Sequence, residues 1–149
     1  GIVVDPFDVE IFEDSDGGQN ARMKFVDVYA LMDKLRSSAR TKARDQRNLD
    51  HEQVHFDIAE IHARRLHAHL GDLVVRPANA VPGTDDSRGL RVQFEQEVQL
   101  MWEKEMQALN EHQSRYDGET RHGLKKSHQK RWIALVAEEL QAEEPYSLK

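Results

Sequence analysis

Apolar positions along the chain follow two periods. Near the N-terminus Phe7, Val9 and Ile11 alternate with polar residues, the pattern of a half-buried strand. A second apolar stretch, Met23–Met32, is rich in Val, Phe and Tyr and reads as a partner strand. Between them Asp16-Gly17-Gly18-Gln19-Asn20 is a turn signal, so a hairpin is expected. After residue 47 the period becomes helical. Val54, Ile58, Ala59, Ile61, Leu66 and Leu70 share one side, and Gln53, Asp57, Glu60 and Arg64 the other. This predicts a helix over 48–70, capped by Asn48 or Asp50 and ended near Gly71. Glu60 and Arg64 are spaced for an i,i+4 ion pair. Phe94, Val98, Met101, Trp102, Ala108 and Leu109 predict a second helix over 90–114. Trp132, Leu135, Val136 and Leu140 predict a third over 124–142, stopped by Pro145. Trp102 and Trp132 read as core. Residues 71–89 read as loop, with a short strand at Leu73-Val74-Val75, and residues 115–123 as a break between helices.

Composition narrows the classes. A chain of 149 residues without internal repeat or linker is expected to be one domain. It is 38% hydrophobic and 32% charged, enough for one modest core. No apolar run approaches the roughly 18 residues that span a bilayer, so no stable membrane insertion is expected. A net charge of -6 argues against a general nucleic-acid binder. The basic stretch Lys34–Arg47 reads as a solvated loop. Cysteine is absent, which removes disulfides, thiol catalysis and cysteine-held metals. No phosphate-binding glycine loop and no G-x-S-x-G nucleophile motif occurs. The first residue is Gly1 and not Met, so the chain is expected to begin after a removed segment or at an added residue, and a signal peptide would not be visible in it. Histidine is the unusual count: there are eight, and five lie between His51 and His69.

One group of them has a chemical spacing. His51-Glu52-Gln53-Val54-His55 is H-E-x-x-H, and a helix sets residues i and i+4 one turn apart on one face. Two neutral imidazoles there can bind one zinc ion. Glu52 lies beside the metal position and can take a proton from an activated water. In a chain of this composition the pattern arises by chance about 0.04 times, so its context matters. That context is the predicted amphipathic helix, which turns both histidines towards the interior, where polar rings need partners.

The stretch from His51 through Phe56, Asp57 and Ile58 to Glu60 resembles a bacterial family of uncharacterised proteins predicted to be secreted zinc-dependent proteases. That family is similar in having H-E-Q-x-H-F-D-I-x-E here and Y-D-x-x-T-x-H-G downstream. Tyr116, Asp117, Thr120, His122 and Gly123 fit every fixed position of the second motif. The resemblance covers roughly residues 20–140. It implies a zincin-like metallopeptidase acting on peptide or protein substrates outside the cytoplasm, secreted or periplasmic.

A catalytic zinc generally has three protein ligands. The metzincin pattern fails, because Ile58 and Ile61 stand where its glycine and third histidine belong. His62 is seven residues past His55, about 10 Å along a helix, too far for the same ion. His62, His67 and His69 therefore read as structural or surface residues. His122 is the leading third ligand, with Asp117, Glu105 and His112 as alternatives. Tyr116 reads either as a donor to a developing oxyanion or as a packed anchor. Asp57 and Glu60 read as salt-bridging or packing residues. The expected fold is α+β and zincin-like: a small hairpin or sheet on the H-E-x-x-H helix, plus two long helices. The expected reaction is peptide hydrolysis with Glu52 as general base. The alternatives are a binding module with a structural or degenerate metal site, and a zinc hydrolase of non-protein amides.

Overall fold

The first turn is built around Asp14. One oxygen of its carboxylate accepts the backbone N–H groups of Asp16 and Gly18, each at 3.0 Å. The other accepts the Asn20 side-chain amide at 3.1 Å. Gly17 takes the positive φ of 77° that the turn needs. The chain reverses, and β2 (Asp8–Glu13) pairs antiparallel with β3 (Gln19–Phe25), from Glu13↔Gln19 to Asp8↔Phe25. The structure is a computed structural model that describes residues 1–32, 46–77 and 83–143. Most of the basic stretch, residues 33–45, lies outside the described residues, as do Pro82 and Pro145.

The second strand differs from the expected Met23–Met32. It begins at Gln19 and stops at Phe25, and Val28–Ala30 forms a separate strand, β4, paired with β1 (Ile2–Val4). Ile2 is buried and Val3 and Val4 partly so, which is why β1 shows an apolar run instead of an alternation. A last short strand, β5 (Val74–Val75), joins β3. The result is two small antiparallel sheets, β1–β4 and β2–β3–β5.

Three helices complete an α+β architecture. α1 (Gln46–Asp72) is about 40 Å long and touches both other helices and both sheets. Its buried face carries Val54, Ile58, Ile61, Leu66 and Leu70, the predicted stripe. Asn48 and Asp50 lie inside its first turns and not at its cap. Glu60 and Arg64 form their pair at 3.0 Å. α2 (Ser87–Thr120) runs six residues past the expected end at 114. Leu109, Tyr116 and Thr120 continue one buried stripe. Gly118 falls on the exposed side, where it costs helix propensity but no packing. Tyr116 and Asp117 are therefore helical, not in a loop. α3 (Lys126–Ala142) buries Gln129, Trp132 and Val136. The indole N–H of Trp132 donates to Glu119 at 2.7 Å, and that of Trp102 donates to the Ile2 carbonyl at 2.9 Å.

A polar cluster ties α1 to α2 two turns beyond His55. Buried His62 meets the Glu105 carboxylate at 2.6 Å through Nδ1 and His112 Nδ1 at 2.9 Å through Nε2. Glu105 and His112, both alternatives for the metal, are engaged here instead. His67 is half-buried and His69 exposed. Burial, with His62 adding to it, holds the pKa of His112 at about 4, against the ordinary 6.5. Unfolding then takes up a proton at His112 as the pH falls. The contribution of His112 to stability is lost from pH 6.5 downward, and that contribution is exhausted near pH 4. Urea midpoints are expected to fall across that window more steeply in the wild type than in His112→Leu. Equal slopes would show that His112 does not titrate in this way.

Candidate metal centre

His51 and His55 face the last turns of α2 from one side of α1. Their Nε2 atoms converge on one oxygen of Asp117, at 2.9 Å from His51 and 2.7 Å from His55. Among the described residues these three side chains form a group able to hold a metal ion, with ligand atoms within 4.8 Å of one another. Two imidazole nitrogens and a carboxylate oxygen suit a divalent transition metal. Such an ion fits the chemistry of the donors, since it would lie between lone pairs that otherwise oppose one another.

The far side of each ring is also held. His51 Nδ1 lies 3.1 Å from Gln129 Oε1. His55 Nδ1 hydrogen-bonds Gln113 Oε1, and Gln113 Nε2 donates to the His55 carbonyl at 2.9 Å. Tyr116 stacks on His51, with centroids 4.6 Å apart and planes 20° apart, and meets His55 edge-on at 4.8 Å. Its hydroxyl is buried, donates to the His51 carbonyl at 3.2 Å and accepts from Gln129 Nε2 at 2.7 Å. Burial pushes this phenol well above its ordinary pKa. Tyr116 is fully buried and outside the lining of the cleft, the geometry of a packed anchor rather than of a donor to an oxyanion.

After Thr120 the chain makes a strained turn. Arg121, His122 and Gly123 all take left-handed backbone angles, with φ of 47°, 56° and 86°. For the two non-glycine residues this costs roughly 1–2 kcal/mol each. The Thr120 hydroxyl fixes the turn by donating to the Tyr116 carbonyl at 2.8 Å and accepting the Gly123 N–H at 3.3 Å. The backbone of Gly123 is thereby laid against His51. A Cβ on Gly123 would stand 3.1 Å from His51 Nδ1 and 3.3 Å from Cγ. Glycine is required here twice, by its φ and by the close approach.

The same turn places His122 at the rim. Its side chain is 73% exposed, and its Nδ1 lies 3.7 Å from Asp117. The helix carries the Asp117 carboxylate to the two rings, while the turn leaves the His122 ring facing solvent. The third donor of the group is thus Asp117, and His122 stands outside it. Glu52 lines the same cleft as His51, His55 and Asp117, a space of about 800 Å³. Leu31, Met32, Phe56 and Met106 supply apolar walls. Asp57 accepts a hydrogen bond from Gln53 at 2.8 Å. Sequence reasoning missed Gln113 and Gln129. Gln113 is one helical turn before Asp117, a relation visible only once the helix is extended to Thr120. Gln129 carries no signal of its own.

Two substitutions test this geometry. Asp117→Ala is expected to weaken zinc binding in calorimetric titration by more than about a hundredfold, the upper end of what outer partners contribute, and His122→Ala by less than about tenfold. The reverse order would make His122 the ligand. Gly123→Ala is expected to lower unfolding stability by about 1–2 kcal/mol in denaturant melts. An unchanged midpoint would contradict the close approach to His51.

Comparison of the chain with family models, curated proteins and solved structures gave no match.

Proposed function

We propose that this protein is a zinc-dependent peptidase whose metal is held by His51, His55 and Asp117, with Glu52 as general base. The observation that carries the reading is the convergence of two Nε2 atoms and one carboxylate oxygen in a cleft that Glu52 also lines. The H-E-x-x-H spacing and the resemblance to predicted zinc-dependent proteases point the same way. A bound zinc ion supplies Lewis acidity at a carbonyl oxygen and lowers the pKa of water. Glu52, next to His51 on α1, accepts the proton of the attacking water and returns it to the leaving amine. The apolar walls at Leu31, Met32, Phe56 and Met106 bind a peptide by excluding water from it.

Three protein donors opening onto a cleft favour this over a closed structural site, which takes four. Among the described residues no helix is long and apolar enough to cross a membrane.

Glu52→Gln separates binding from chemistry. The variant is expected to bind zinc within a few-fold of the wild type and to lose about 10²–10⁴-fold in the rate of cleaving a mixed peptide library. Full activity in a zinc-loaded variant would rule out the general-base role. Wild-type zinc binding with cleavage of small amides and no peptides would move the reading to a non-peptide hydrolase.

A further inference from the structure

A backbone carbonyl can only accept a hydrogen bond, and this fixes more than it first shows. Gln113 Nε2 stands 2.9 Å from the His55 carbonyl, so the donor end of this amide must face that oxygen. Its Oε1 then faces His55 Nδ1, and it too can only accept. The neutral ring must therefore carry its proton on Nδ1. Its Nε2, 2.7 Å from Asp117, is left as a lone pair. Gln113 thus reads the backbone of α1 with one end and sets a ring on the same residue with the other.

His51 is governed from α3. Gln129 Oε1 lies 3.1 Å from His51 Nδ1, and its Nε2 donates to the Tyr116 hydroxyl at 2.7 Å. That hydroxyl lies 3.2 Å from the His51 carbonyl and 2.9 Å from Gln129 Oε1; its single proton, given to the carbonyl, which can only accept, leaves Gln129 Oε1 to the ring. The bonds form a ring that leaves His51 at its side chain and returns to it at its backbone. Gln129 is buried, so no water is needed to satisfy it.

We infer that Gln113 and Gln129 are positioning residues that hold His55 and His51 in the Nδ1–H tautomer, aiming both Nε2 lone pairs at the metal position beside Asp117. This rests on the metal reading of the site proposed above. Both partners are neutral carboxamides. They fix proton position and ring angle without adding charge to a centre that already contains the Asp117 carboxylate. Outer partners of this kind typically contribute 10–100-fold in metal affinity.

The test uses histidine-15N-labelled full chain and zinc alone as the probe. In zinc-loaded wild type at mildly alkaline pH, the shifts of His51 and His55 are expected to report Nδ1–H rings that ligate through Nε2. An Nε2–H ring at His55 in the zinc-loaded protein would overturn the inference. Gln113→Leu is expected to give a mixed tautomer at His55 and to weaken zinc binding about 10–100-fold. Gln113→Glu, which keeps an acceptor at Nδ1 but loses the donor to the His55 carbonyl, is expected to restore the tautomer and only part of the affinity. If Gln113→Leu keeps the wild-type tautomer and affinity, or if Gln113→Glu rescues neither, the inference fails. Should Gln113→Leu not fold, the wild-type shifts and Gln113→Glu still decide it. A wild type that binds no zinc would overturn the peptidase reading and this inference with it, whereas bound zinc with an Nε2–H ring at His55 would overturn this inference alone.

Discussion

One carboxylate oxygen stands between two imidazole nitrogens, and most of the local structure serves to keep it there. Asp117 Oδ1 is within 2.9 Å of both Nε2 atoms. Three such acceptors do not approach one another in a part-buried place unless a cation or protons lie between them. The long α1–α2 contact supplies the approach, and the His62–Glu105–His112 cluster pins the same two helices further along. The contact therefore has two polar ties separated by apolar packing around Ile58 and Leu109. A helix pair held only by its apolar stripe would fix separation well and rotation poorly. The polar ties fix rotation, because each requires named atoms to meet.

The turn after α2 shows where strain is accepted. Two non-glycine residues in left-handed geometry are unfavourable, and the Thr120 hydroxyl and the capping N–H groups offset the cost. What the turn accomplishes is the contact of bare Gly123 backbone with the His51 ring. The residues of the Y-D-x-x-T-x-H-G segment then divide the work among them. Tyr116 stacks on His51, Thr120 holds the turn, and Gly123 closes on the ring. Asp117 provides the carboxylate.

The part of the fold set by long apolar periods was legible from the chain. The three helices lie where their stripes put them, and the hairpin turn sits beside its Asp-Gly-Gly signal. The strands were less legible. Val28–Ala30 belongs to a different sheet from Phe25, and nothing in a continuous apolar stretch marks that division. β1 was missed because its burial on both sides erased the alternation. At the site, His51 and His55 were legible because helical spacing is local. The helix end was misplaced because Gly118 looks like a breaker, although it faces solvent. That misplacement put Asp117 and His122 in one loop, where nothing turned Asp117 rather than His122 towards the two rings. Extending the Leu109–Tyr116–Thr120 stripe would have recovered both Asp117 and Gln113. Gln129 could not have been found this way, since it reaches His51 from another helix through packing alone.

The coordination shell of zinc-loaded protein, read by X-ray absorption, separates Asp117 from His122 as the third ligand. Two imidazole nitrogens and one carboxylate oxygen are expected at about 2.0–2.2 Å, with a remaining position taken by a light atom from solvent. A shell of three imidazoles would contradict the assignment of Asp117. A shell without any imidazole would contradict the site altogether.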